Sequence, residues 1–453
     1  MKSPQHRDKE NSPTKLDRIK QRSTQDQKAV FNNLGHLIDL EMLRRCFHRQ
    51  DGSKAVGIDK ITKEEYEQNL DENLEALLLK IRRGSYHPQA SRIVQIPKTD
   101  GSLRPLAIAC FEDKIIQEAV RQIVEAIYEP VFLDCSHGFR PNRSCHTALV
   151  NLHKNLMRVD CEAVLEIDLR KYFNTIPHEP LFEMLKAKIT DQRFLHLIIK
   201  LLKAPTLNDK GLPVRNEIGS PQGSILSPVI ANLYLHHVLD TWFAWQSTNN
   251  CEGSAHMVRY ADDAVFSFRS FAQAEQFRRV LEKRLLKYGI SINEAKTKTL
   301  VAGQRAAAKY QRLGLQMPTF TFLGFLHVWG ASMNRKTGNE FWRVKRRTCP
   351  IRFRKKLLEI KMDIRKNLHK RRLVARVKRV VLGYLNYFAI NDNGKRITQF
   401  VDEVREPLFK YLNRRSQRRS FDWPTFNKIL IKEDFPRAII LHNLFFNLKP
   451  KRA

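Results

Sequence analysis

A carboxylate inside an otherwise apolar strand is expensive to bury, and this chain places such groups in two runs. Asp168 lies in Val164-Leu165-Glu166-Ile167-Asp168-Leu169. Asp262 and Asp263 form a doublet inside Met257-Val258-Arg259-Tyr260-Ala261-Asp262-Asp263-Ala264-Val265-Phe266. The β-branched, aromatic and other apolar residues around them predict strands, with the doublet at the turn of a hairpin. Buried carboxylates are costly unless cations or hydrogen bonds hold them. If the two strands are neighbours, the three groups converge and can hold two magnesium ions about 3.5–4 Å apart, an arrangement that serves phosphoryl transfer. Magnesium takes hard oxygen ligands and combines one or two protein carboxylates with substrate phosphates.

The charge of the chain points to a kind of partner. Its 453 residues carry 80 Lys+Arg against 47 Asp+Glu, a net charge of +33. That balance implies a polyanion, with nucleic acid the leading candidate; the alternative is a solvated basic surface. Residues 341–453 hold 31 Lys+Arg against 9 Asp+Glu, so the C-terminal quarter is expected to make most of the salt-sensitive contacts. The length suffices for two or three domains. The seven cysteines are odd in number and include no Cys-x-x-Cys pair, which argues against a disulfide framework or a zinc module and suits a reducing compartment. With no apolar leader segment and no bilayer-length run, the expectation is a cytoplasmic protein without a membrane partner.

Residues 1–28 are polar and charged and read as a flexible basic extension. Helices are expected over 36–50, 63–83, 111–128, 179–203, 227–245 and 271–288. Strands are expected at 93–97 and 103–108, joined by Thr99-Asp100-Gly101, and at 320–328. Residues 29–330 therefore read as one α+β body, 331–349 as a linker, and 350–453 as three basic helices over 351–369, 371–390 and 396–413. In the middle helix and at its start, Arg371, Arg372, Arg376, Lys378 and Arg379 are the candidate RNA contacts.

Asp168 suits a carboxylate that bridges two metals, and the Leu169 carbonyl offers one more hard ligand. Phe173 reads two ways, as a core aromatic or as a bulky side chain against the sugar of an incoming nucleotide, where it would exclude a 2′-hydroxyl. Gly219-Ser220-Pro221-Gln222-Gly223-Ser224-Ile225-Leu226-Ser227-Pro228 is a turn entering a helix, a place where backbone approaches a ligand closely; Gln222 is a candidate to line a nucleotide pocket. Lys98 and Arg104 flank the turn of the basic hairpin and are candidates to clamp a triphosphate, with a solvated hairpin as the alternative. Lys296 is either a proton donor to a pyrophosphate leaving group or a structural contact.

Each string is weak alone, but their order is informative. Gly57-Ile58-Asp59, Ile96 to Leu106, Ser136-His137-Gly138-Phe139-Arg140-Pro141, Asp168 to Phe173, Pro221 to Pro228, Arg259 to Asp263, Lys296-Thr297 and Phe322-Leu323-Gly324-Phe325 follow one another along the chain. In this succession the chain resembles a group II intron-encoded reverse transcriptase and maturase, from about residue 30 to about 440. The resemblance implies a right-hand polymerase fold of fingers and palm followed by a helical, maturase-specific thumb, whose signature Gly383-Tyr384-Leu385-Asn386-Tyr387-Phe388 is similar. It implies that Asp168, Asp262 and Asp263 are metal ligands for two Mg2+ ions, with Mn2+ a substitute. It also implies that Lys98, Arg104, Phe173 and Gln222 contact the nucleotide. The implied partners are intron RNA and an RNA template, a DNA primer or target, and deoxynucleoside triphosphates, in a ribonucleoprotein. Many members of the family carry a nuclease with paired cysteines, which this sequence lacks; the expectation is a primer supplied by an existing 3′ end. Two alternatives stand beside this reading. One is a non-catalytic RNA chaperone, which the intact aspartates argue against. The other is a related polymerase recruited to defence, which sequence alone leaves open.

Overall fold

The structure, a computed structural model, describes residues 14–97, 101, 103–208, 210–251, 254–333, 337–368, 372–413 and 422–444. The first helices are α1 (Lys15–Gln25), α2 (Leu40–Arg49), α3 (Lys63–Glu67) and α4 (Leu70–Arg82). The hairpin β1 (Arg92–Pro97) and β2 (Leu103–Ile108) leads into α5 (Phe111–Tyr128) and α6 (Cys145–Leu156). Next come β3 (Ala163–Asp168), the short α7 (Tyr172–Thr175), α8 (His178–Lys186), α9 (Gln192–Leu202), and the two-residue strands β4 (Thr206–Leu207) and β5 (Pro213–Val214). Then follow α10 (Ser227–Leu235), a π-helical turn (His236–Asp240) and α11 (Thr241–Asn250). After these come β6 (His256–Tyr260), β7 (Asp263–Phe268), α12 (Phe271–Lys287), β8 (Lys298–Val301) and α13 (Gln304–Arg312). The rest of the chain forms β9 (Phe320–Phe322), β10 (Phe325–Met333), β11 (Glu340–Thr348), α14 (Pro350–Lys366), α15 (Leu373–Phe388), α16 (Gly394–Leu412) and α17 (Trp423–Lys432). The central sheet has the order β6-β7-β3-β8; a second has the order β11-β10-β9. Among the described residues no helix is long and apolar enough to cross a membrane.

The chain divides into two compact units, Met1–Ser144 with Ile167–Ala264 and Glu275–Lys298, and Cys145–Glu166 with Val265–Ala274 and Thr299–Ala453. In the first, α5 is the central helix. Ile115, Ile116, Ala119, Val120, Ile123 and Ile127 are fully buried along it, and α1, α2 and α10 pack on it. Residues 14–25 are not an extension but α1. Its polar sequence hides a capping box, in which Thr14 and Asp17 satisfy each other's backbone N–H groups. Ser23 anchors the helix by donating its hydroxyl to the Ile127 carbonyl at 2.6 Å. The expected helix over 179–203 is two helices, because Asp191 caps α9, accepting from the Phe194 N–H at 3.0 Å.

In the second unit the apolar rows of four helices interlock. Phe353, Leu357, Ile360 and Ile364 of α14 repeat at helical spacing. They share a core with Val377 and Val381 of α15, Phe400 and Val404 of α16, and Phe426 of α17. Helix α17 is an addition to the three helices expected. The presumed linker 331–349 holds β11, paired antiparallel to β10 from Phe325↔Thr348 to Met333↔Glu340. Its inward positions are Val344, Arg346 and Thr348, all buried. An arginine at an inward position conceals the period-two pattern that marks a strand.

That arginine creates a buried cluster. The Arg346 guanidinium donates to Nδ1 of His153 at 2.6 Å, and His327, 1% exposed, stacks on Phe320. Burial, with the Arg346 charge adding to it, pushes both histidines down to about 3. The folded chain therefore keeps them neutral, while an unfolded chain protonates them below about pH 6.5. Their contribution is complete above that value and is lost as pH falls toward 3, at about 1 kcal/mol per histidine per pH unit. The urea midpoint of the chain should drop between pH 6.5 and 4, and His327→Phe should flatten part of that slope; an identical slope in the variant would refute the assignment.

Candidate active site

Strands β3 and β7 are neighbours, and one bond fixes their direction. The Glu162 N–H donates to the Phe268 carbonyl at 2.9 Å. Since β7 ends at Phe268, the strands can pair along their length only if they run antiparallel. β3 ends at Asp168 and β7 begins at Asp263, so in an antiparallel pair the lone carboxylate and the doublet lie at the same end of the sheet.

On its other side β3 meets the segment after α12. The Arg170 N–H donates to Ser291 and the Asn293 N–H donates to Asp168, around an antiparallel bridge between Leu169 and Ile292. In such a pair the N–H and C=O of Leu169 point away from Ile292, toward the β7 side of the sheet. The Asp168 carboxylate accepts from the Asn293 side-chain amide at 2.9 Å and pairs with the Lys296 ammonium at 3.2 Å.

The doublet turn is held from beneath. Ala261 adopts φ +56°. Arg259, fully buried, donates to the Ala261 carbonyl at 3.0 Å, donates two hydrogen bonds to the Asp240 carboxylate at 2.7 and 2.6 Å, and donates to Asn232 and Ser136. Asp240 ends the π-helical turn, a local change of helical pitch that recurs at functional sites. Gly138 packs so closely on Ala261 N and Tyr260 C that a Cβ would collide with that backbone. The Ser136–Arg140 block is thus the bed of the doublet.

The electrostatics follow. Burial pushes the Asp262 carboxyl above its ordinary value; the charge of Asp168 adds to the shift, and Arg104 and Lys296 oppose it. Arg104 Nε also donates to the Gln222 side-chain carbonyl at 2.9 Å, and the Ala107 N–H donates to the Gln222 main-chain carbonyl at 2.6 Å. Gly223, at φ +112°, lets the turn lie on Ala107. The basic hairpin and the Pro-Gln-Gly turn, 118 residues apart, are therefore one local structure.

Phe173 is 8% exposed and lies edge-on to Phe139 at 6.4 Å. Lys98 and Arg371 lie outside the described residues. Arg372, Arg376, Lys378 and Arg379 belong to the second unit; Arg376 pairs with Asp363 at 2.7 Å and Lys378 with Asp434 at 3.2 Å, while Arg372 and Arg379 are exposed. Sequence reasoning missed Asp240 and Asn293. Arg259 sits beside the doublet, which gave a signal, but its partner lies in a helix with no motif.

Among the described residues no three His, Cys, Asp or Glu side chains form a group able to hold a metal ion by themselves. The donor set nevertheless suits hard divalent cations. Carboxylates end adjacent strands, one carboxyl is raised by burial and by its neighbour's charge, and phosphates and water complete such shells. Replacing Arg259 with Met should strand the Asp240 charge in the interior and lower unfolding stability in urea by about 3–5 kcal/mol; a loss below about 1 kcal/mol would contradict the locking role.

Comparison with known proteins places the chain in a family. Residues 96–327 match the family described as reverse transcriptase (RNA-dependent DNA polymerase). The group II intron-encoded protein LtrA of Lactococcus lactis subsp. cremoris is 36% identical over 225 residues, 49% of this chain and 37% of that protein. Protein YkfC of Escherichia coli K12 is 32% identical over 305 residues, 58% of this chain and 78% of that protein. An uncharacterised 91 kDa protein in the cob intron of Schizosaccharomyces pombe is 41% identical over 165 residues, 36% of this chain and 20% of that protein. The match thus covers little more than a third of the Lactococcus relative. The chain belongs to the reverse transcriptase (RNA-dependent DNA polymerase) family, and part of it is similar to a group II intron-encoded protein.

Proposed function

We propose that this chain copies RNA into DNA and binds intron RNA to assist its splicing and mobility. The observation that carries the reading is the antiparallel pairing that brings Asp168 to the Asp262–Asp263 turn. The intron-encoded relatives support the RNA partner.

Asp168, Asp262 and Asp263, with the Leu169 carbonyl, would hold two divalent cations, magnesium by the hardness of the donors. When bound, such ions neutralise the triphosphate and favour the ionised primer 3′-hydroxyl. The residues of the chain do the rest. Arg104 adds positive charge beside Asp262, where a triphosphate would lie, and its bond to Gln222 orients both side chains. By the family resemblance, Lys98 would complete the clamp. Lys296 pairs with Asp168 and would serve as the proton donor to a leaving pyrophosphate. Phe173 would lie against the sugar and exclude a 2′-hydroxyl. Basic side chains of the second unit, Arg372 and Arg379 among them, would hold RNA phosphates.

Asp168→Asn and Asp263→Asn should each abolish deoxynucleotide incorporation on a primed RNA template while RNA affinity stays within about twofold, as expected when charge is removed from the chemistry rather than from the phosphate contacts. Incorporation at the parent rate would refute the assignment. Phe173→Ala should raise ribonucleotide use relative to deoxynucleotide by at least about tenfold, equivalent to about 1.4 kcal/mol of lost discrimination. An unchanged ratio in competition assays would return Phe173 to a purely packing role.

A further inference from the structure

A second concave surface in the first unit shares no residue with the aspartate site. A cavity of about 1100 Å3 lies between the end of α4, the 32–38 segment and the start of α9. Arg82, Arg83, Arg193 and Lys200 line it, with His36 and His196 beside them. Its one carboxylate, Asp191, is committed elsewhere, accepting from the backbone N–H groups of Leu34, Gly35 and Phe194 at 2.6, 2.9 and 3.0 Å. Lys200 is fixed in place by donating to the Gly84 and Tyr86 carbonyls at 2.7 and 3.0 Å. Arg82, Arg83 and Arg193 are exposed, and no ion pair among the described residues engages them.

Local structure accounts for only part of this charge. Arg82 and Arg83 stand at the C-terminal end of α4, where cations complement the helix dipole. Arg193 stands in the first turn of α9, which holds no acidic residue. A cation there opposes the dipole, so helix stability does not explain it. Beneath the cations the lining is apolar, with Ile38, Phe194 and Leu197 buried and Ile81 half-buried. A cationic rim around a concave surface fits the phosphates of a flexible single strand that can bend into it. The volume is at or above the roughly 300–1,000 Å3 of small-molecule pockets, which favours a stretch of chain over one small ligand.

We propose that this cavity takes an unpaired segment of RNA distinct from the template strand being copied. The inference rests on the reading of the chain as an RNA-binding polymerase, and its test separates the two.

The full-length chain, preloaded with a short RNA–DNA primer–template duplex, is titrated with fluorescent oligo(U) over a range of salt concentrations. The triple variant Arg82→Ala, Arg83→Ala, Arg193→Ala should bind at least about tenfold more weakly near 0.1 M salt, and its plot of log affinity against log salt should be shallower by about 2, since each single-strand phosphate contact contributes about 0.7. The same three positions changed to Lys should restore most of the slope, which a misfolded protein would not. Primer extension on poly(rA)–oligo(dT) should stay within about twofold, because the chemistry at the aspartates is untouched. Equal affinity and slope in the alanine variant would overturn the proposal. So would extension that falls in step with binding, since the arginines would then belong to the template path. If the parent chain binds oligo(U) through this cavity yet extends no primer, the polymerase reading fails and the cavity assignment stands.

Discussion

The buried ion pair between Arg259 and Asp240 is the constraint on which the rest of the site depends. Two bonds of 2.6–2.7 Å join groups that are both essentially without solvent access. Such a pair contributes little net stability compared with apolar packing, but it is severe about geometry, because either charge alone would be stranded. Its remaining donors reach Asn232, Ser136 and the Ala261 carbonyl. The turn that presents Asp262 and Asp263 is therefore set by groups from three separate stretches of chain. Gly138 closes the arrangement, since no side chain larger than hydrogen fits against Ala261.

The carboxylates on that frame are held in tension. Asp262 is pushed toward its neutral form by burial and by Asp168, and Arg104 and Lys296 offset part of the effect. Lys296 and Asn293 occupy Asp168 directly. The Arg104–Gln222 bond joins the hairpin to the Pro-Gln-Gly turn.

Much of this was legible in the sequence because the motif blocks are short and local. The strand around Asp168, the doublet hairpin, the hairpin of β1 and β2 and the helix α5 all appear where their residue patterns put them. The misses have physical causes. Helix α1 has no apolar stripe of its own and depends on a capping box and one serine anchor. Strand β11 hides because Arg346 occupies an inward position. The break between α8 and α9 comes from Asp191, whose carboxylate serves a helix cap and a distant loop together. The partners of Arg259 and Asp168 were invisible because Asp240 and Asn293 meet them only in three dimensions. The cavity beside α9 was invisible for the same reason, its cations being spread over some 120 positions of sequence.

The central claim is that the lone aspartate and the doublet share divalent cations. Iron(II) put in place of magnesium, with ascorbate and peroxide, cuts the backbone where the metal sits. Cuts clustered next to Asp168–Leu169 and Ala261–Asp263, and suppressed by excess magnesium, are the predicted result. Cuts elsewhere, or cuts at these positions that magnesium leaves unchanged, would contradict it.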